Sequence, residues 1–108
     1  MRVLFDQATP VPIRSFLSGH QIRTAAQEGW HQLANGDLLD AAEAAEFEVF
    51  VNTDKNMRYQ ERLANRRIAI VVLNRLQWPQ LRPHVQRIVA AVDAATPGTY
   101  TGVEIPEN

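Results

Sequence analysis

The sequence predicts an α/β protein, a three-layer α/β/α sandwich around a mostly parallel central sheet, and three observations carry that prediction. Short apolar runs at residues 3–5, 47–51 and 68–73 alternate with segments whose apolar residues recur at helical spacing. The run Ile68-Ala69-Ile70-Val71-Val72-Leu73 has no polar interruption, as expected of a parallel strand covered on both faces. Two of the runs also end in acid, at Asp6 and Asp54, and the crevice beyond the carboxyl ends of the strands is where such sheets bind ligands.

Taken in order, Val3-Leu4-Phe5 is a short buried strand bounded by a charge and turn residues. A helix follows, with Thr9 as its cap, Pro10 in its first turn and Ile13, Phe16 and Leu17 on one face, ending at Gly19. Residues 22–25 form a brief second strand and 27–35 a loop. From Asn35-Gly36 the helical period returns, with Leu38, Leu39, Ala42 and Ala45 on one face and Asp40, Glu43 and Glu46 turned mostly away. Residues 47–51 are aromatic and β-branched, and Asn52-Thr53-Asp54 closes that strand. Asp54 or Asn56 caps a helix through Met57, Tyr59, Gln60 and Leu63, and the strand at 68–73 comes next. Pro79 opens the last helix, with Leu81, Val85, Ile88, Val89 and Val92 as its stripe up to Thr96-Pro97-Gly98. Residues 99–105 add an edge strand, and 106–108 fray. With 108 residues the chain makes one domain, 1–105, with one core.

Composition narrows the chemistry. The absence of cysteine excludes disulfides, zinc–thiolate sites and thiol nucleophiles. No apolar run approaches a membrane span, and the first one is too short for a signal peptide, so the expectation is a soluble, cytoplasmic protein with no membrane partner. Formal net charge is −1, so charge as a whole does not recruit nucleic acid. Its distribution is uneven: Lys55 is the only lysine, and Arg58, Arg62, Arg66 and Arg67 fall within ten residues. Arg58 and Arg62 share a helix face at a spacing of four, which suits successive phosphates, and Tyr59 beside them suits stacking on a base. The plain alternative is a solvated helix face with Glu61 paired to an arginine.

Acidic residues at strand ends suggest a hard divalent cation, because several carboxylates in one crevice repel unless something neutralises them. In this reading Asp6 and Asp54 bind Mg²⁺ or Mn²⁺ directly and Asp37 reaches in from a helix start, with Asp40 as the alternate helical ligand. Thr53 and Asn56 support Asp54. Each residue also has an ordinary structural role open to it: a turn at Asp6, dipole compensation at Asp37, and a cap at Asp54. The histidines show no ligand spacing, and the glycines make neither a dinucleotide fingerprint nor a phosphate loop.

With Asp6, the segment Asn35-Gly36-Asp37-Leu38-Leu39-Asp40 and Val51-Asn52-Thr53-Asp54 in view, the chain resembles PIN-like domains over nearly its whole length. More narrowly it resembles the short bacterial PIN-like proteins related to the VapC-type toxin ribonucleases. The resemblance implies an α/β/α sandwich, Mg²⁺- or Mn²⁺-dependent endoribonuclease activity on RNA, an antitoxin protein as partner, and a homodimer. By position, Asp6 matches the first metal aspartate of the family, Asp37 the helical acid, and Asp54 the aspartate of its Thr-Asp signature. The chain departs from the pattern at Ala8, where an asparagine is common, and at the fourth acid, where it offers neutral Asn56 or Asn74.

Two further readings compete. A non-catalytic PIN-like module that binds RNA or a protein is favoured by the neutral fourth position. A phosphoacceptor receiver matches the placement of Asp6 and Asp54 but lacks a paired acid, since Gln7 follows Asp6, and has no lysine beyond Lys55.

Overall fold

The computed structural model describes residues 1–57 and 66–107. Its strands are β1 (Arg2–Phe5), β2 (Gln21–Thr24), β3 (Val49–Asn52), β4 (Ala69–Leu73) and β5 (Tyr100–Val103). They form one five-stranded sheet in the order β2-β1-β3-β4-β5, with every pairing parallel. Between them run a 3₁₀ helix (Val11–Phe16), α1 (Asn35–Ala44), α2 (Trp78–Leu81), a 3₁₀ turn (Arg82–His84) and α3 (Val85–Asp93).

Strand alternation divides the core into two clusters. One takes Val3 and Phe5 from β1, Val49 and Val51 from β3, and Ala69, Val71 and Leu73 from β4, with Ile13, Leu17, Leu81, Ile88 and Val92 packed on them. The other takes Leu4, Phe50, Ile70 and Val72, with Leu38, Leu39 and Ala42 of α1 and with Met57. The 3₁₀ helix and α3 therefore serve one side of the sheet and α1 the other. Every residue of β3 and β4 is buried, each large apolar side chain contributing roughly 1.5–3 kcal/mol. β2 is an edge strand whose residues are exposed or half-buried, as Gln21 and Arg23 require.

The expected helix after Pro10 is a six-residue 3₁₀ helix. Pro12 near its start has no N–H to give, and no side chain caps it. Thr9 is not its cap: the hydroxyl donates instead to Asp6 and to the Val51 carbonyl. The last helix breaks at Pro83 into α2, the 3₁₀ turn and α3, because proline removes a backbone donor from the ladder. α1 ends with Glu46 at a φ of 65°, a left-handed conformation more often given to glycine. Gly98, at a φ of +75°, has room for no side chain: a Cβ there would meet the Arg66 carbonyl at 3.0 Å. Among the described residues no helix is long and apolar enough to cross a membrane.

Asn74, just past β4, extends the sheet by side-chain mimicry. Its Oδ1 accepts the Ile105 N–H at 2.8 Å, and its Nδ2 donates to the Ile105 carbonyl at 3.2 Å and to Glu104 Oε2 at 3.0 Å. Ile105 is thereby held in the core at 1 % exposure. Asn74→Ala should destabilise the protein by about 1–3 kcal/mol in urea denaturation. Asn74→Asp should do at least as much harm, because it turns an acceptor toward the two acceptors that the amide now serves; an unchanged midpoint in both variants would show that this clasp does not hold Ile105.

Candidate functional site

β1 leads to β2 on one side of itself and the chain then returns to place β3 on the other, so the order of the strands reverses between β1 and β3. Such a switch point leaves a crevice at the carboxyl ends of the two strands. Asp6 follows β1 there, and Thr53 and Asp54 follow β3.

Asp6 is tied to its neighbour by several bonds. Its N–H donates to the Val51 carbonyl at 3.1 Å, and its Oδ1 accepts the Thr9 N–H at 2.8 Å and the Thr9 hydroxyl. The backbone N–H groups of Thr53 and Ala8 also stabilise the carboxylate. Thr9, 3 % exposed, bridges the two strand ends through its 3.0 Å bond to Val51. Burial lifts the Asp6 carboxyl above its ordinary value of 3.8, and these hydrogen bonds offset that only in part.

Asp54 sits in a turn of asparagines. Its N–H donates to Asn52 Oδ1 at 2.9 Å, its Oδ1 accepts the Asn56 N–H at 2.9 Å, and its Oδ2 accepts Asn35 Nδ2 at 3.1 Å. The Asn35 bond brings the start of α1 beside the end of β3. Asp37 lies in that first helical turn, exposed, with no side-chain partner among the described residues. Asp40 is exposed too but engaged, its Oδ1 accepting Arg66 Nη1 at 2.8 Å. The same guanidinium reaches Glu43 at 2.8 Å and the Gly36 carbonyl at 3.4 Å. Burial opposes ionisation of Glu43, but Arg66 and the Arg67 N–H win and hold its carboxyl below the ordinary 4.5. Arg66 thus braces α1 against the approach to β4. Arg58, Tyr59 and Arg62 lie outside the described residues.

Three features escaped the reading of the sequence. Asn52, 1 % exposed, turns its Oδ1 to Asp54 while its Nδ2 has no hydrogen-bond partner among the described residues. Asn35 orients Asp54; the signal was an asparagine at the helix start, which reads as ordinary capping. A cleft of about 420 Å³ opens beside Asp6, lined by Thr9, Val11, Thr24, Ala26 and His31. Its rim is fixed by Gln7, whose amide donates to the His31 carbonyl at 2.6 Å. Nothing in local spacing joins residue 6 to residue 31; only the β1–β2 pairing does.

Among the described residues no group of three histidine, aspartate or glutamate side chains is placed to hold a metal. Asp6 and Asp54 are hard oxygen donors of the kind Mg²⁺ takes, and that ion is commonly held by one or two carboxylates with water and substrate phosphate completing its shell. Their hydrogen bonds do not exhaust them: an ionised carboxylate accepts at about four positions. Neutral Asn74 is committed to Ile105 and Glu104, so it is no fourth ligand. The receiver reading gains the strand order, which also suits doubly wound receivers, but not its lysine: Glu104 follows β5. Comparison of the chain with protein-family models, curated proteins and solved structures returns no match.

The raised pKa of Asp6 has a defined sign. The folded state binds its proton more tightly than the unfolded chain, so the stability linked to Asp6 is full below the unfolded value and declines as pH rises through the folded one. In chelator, the melting difference between Asp6→Asn and wild type should move in the variant's favour as pH rises from about 4 to about 7. A constant difference across that range, or one moving the other way, would contradict the burial of this carboxylate.

Proposed function

We propose that the protein is a PIN-like three-layer α/β/α sandwich acting as a metal-dependent endoribonuclease of toxin type. One observation carries the reading: the end of β1 and the end of β3 meet at the reversal of strand order with an aspartate on each. Asp6 and Asp54 would hold Mg²⁺ or Mn²⁺, and Asp37, at the adjoining helix start and without a side-chain partner among the described residues, would complete the ligand set directly or through water. When bound, the ion supplies a more acidic water and neutralises charge developing on the phosphate. Thr9 and the Thr53 N–H fix the Asp6 carboxyl, while Asn35, Asn52 and the Asn56 N–H fix Asp54. Arg58 and Arg62, with Tyr59, would position RNA. The toxin role, the antitoxin partner, the homodimer and the cytoplasmic location rest on the resemblance alone.

A non-catalytic PIN-like module that binds RNA or a protein is the second reading. It is favoured by the hydrogen bonds that already occupy Asp6 and Asp54 and by the neutral Asn74.

Purified protein should cut single-stranded RNA in Mn²⁺ or Mg²⁺, stop in chelator, and lose at least about 100-fold in rate in Asp54→Asn with the fold intact. Asp37→Asn should weaken Mn²⁺ binding and Asp40→Asn should not. Mn²⁺ binding without cleavage across a broad RNA panel would select the non-catalytic module, and cleavage unchanged in Asp54→Asn would rule out this site.

A further inference from the structure

Charge in this molecule is divided across the sheet. Residues 37–48, which supply α1 and its exit, hold Asp37, Asp40, Glu43, Glu46 and Glu48 and no basic residue; Arg66 and Arg67 offset part of that charge. On the other side the balance is opposite. Residues 7–18 and 74–93, which supply the 3₁₀ helix, α2 and α3, hold Arg14, Arg75, Arg82 and Arg87 against one acid, Asp93, which pairs with His20. A chain of net charge −1 therefore presents one basic side.

Apolar surface is exposed on that same side. Phe16 is 39 % exposed and Leu76 51 %, and the Phe16 ring lies 5.8 Å from that of Trp78, tilted by 45°. Trp78 is anchored by packing on the core, so the pair is a supported aromatic surface. Arg82 stands four residues beyond Trp78 across a helical turn, on the same face. The guanidinium groups of Arg75 and Arg82 have no hydrogen-bond or ion-pair partner among the described residues. Arginines unpaired with any described acid, beside a solid aromatic pair, are what a single-stranded nucleic acid needs, the charges following the phosphates and the rings stacking on bases.

The patch also leads to the switch point. Val11, the first residue of the 3₁₀ helix that ends in Phe16, lines the cleft beside Asp6. Arg75 and Leu76 leave the carboxyl end of β4, next to the end of β3 that carries Asp54.

We propose that Phe16, Trp78, Arg75 and Arg82 form a binding surface for single-stranded RNA, which carries the strand toward the crevice at Asp6. It deepens the ribonuclease reading by giving the substrate a path. It uses none of the aspartates of the crevice, and its binding requires no metal.

The test is fluorescence anisotropy of a short labelled oligoadenylate in chelator, with the full chain. Wild type should bind, with an affinity that falls as salt is raised. Phe16→Ala should weaken binding by about fivefold or more, the lower end of the loss of one base–aromatic stack. Arg75→Gln with Arg82→Gln should weaken it further and flatten the dependence of log K on log salt by about 0.7 for each phosphate contact removed. All of these side chains are partly or largely exposed, so circular dichroism should show the variants folded. Affinity and salt slope unchanged in both variants would overturn the proposal. So would displacement of the picture by protein: an acidic amphipathic peptide that binds wild type but not the Arg75→Gln, Arg82→Gln variant, with no RNA binding by either. If RNA binds here and no condition yields cleavage, the surface stands and the nuclease reading falls.

Discussion

Where β1 and β3 part company, their ends are held by one buried threonine. Thr9 gives its hydroxyl to Asp6 and to the Val51 carbonyl, and its N–H to Asp6. Hydrogen bonds to an ionised group contribute about 1.5–3 kcal/mol each, set here against the burial that disfavours the charge on Asp6. The switch point creates the crevice, and Thr9 determines which way its acid points. Asp54 adjoins the same arrangement, because the backbone N–H of Thr53 beside it helps to stabilise the Asp6 carboxylate.

The other elements take their positions from that edge. α1 is fixed at its start by Asn35 on Asp54 and along its length by Arg66 on Asp40 and Glu43. This network engages Asp40, while Asp37 has no side-chain partner among the described residues, so two acids on one helix stand in different settings. Arg66 continues the spacing of Arg58 and Arg62 in the sequence, yet its guanidinium braces the fold. Opposite, α3 buries Val85, Ile88 and Val92, and the segments on that side carry Arg14, Arg75, Arg82 and Arg87 against Asp93, so packing on the sheet also sorts the charge.

Strands β3 and β4 were legible because burial on both faces leaves an unbroken apolar record, and α1 because its three buried residues keep helical spacing. The alternation of elements also made the parallel sheet legible. Side-chain partnerships were not. Thr9 before Pro10 has the form of a helix cap, and only the proximity of Val51, 42 residues away, turns it elsewhere. Asn74 occupied a position where the family resemblance invited a ligand, but the pairing of β4 with β5 makes it a backbone mimic. Asp6 and Asp54 were legible as strand ends. That they lie on neighbouring strands comes from the order of the sheet, which no local pattern encodes.

Whether the carboxyl edge at β1 and β3 is a metal centre is decided most directly by a crystal structure of the protein soaked in Mn²⁺, with anomalous scattering recorded. The account predicts one peak within coordination distance, roughly 2.0–2.6 Å, of oxygens from both Asp6 and Asp54, with Asp37 bound directly or through water. A crevice without a peak at saturating Mn²⁺, with the bonds of Thr9 to Asp6 and Asn35 to Asp54 intact, would contradict it.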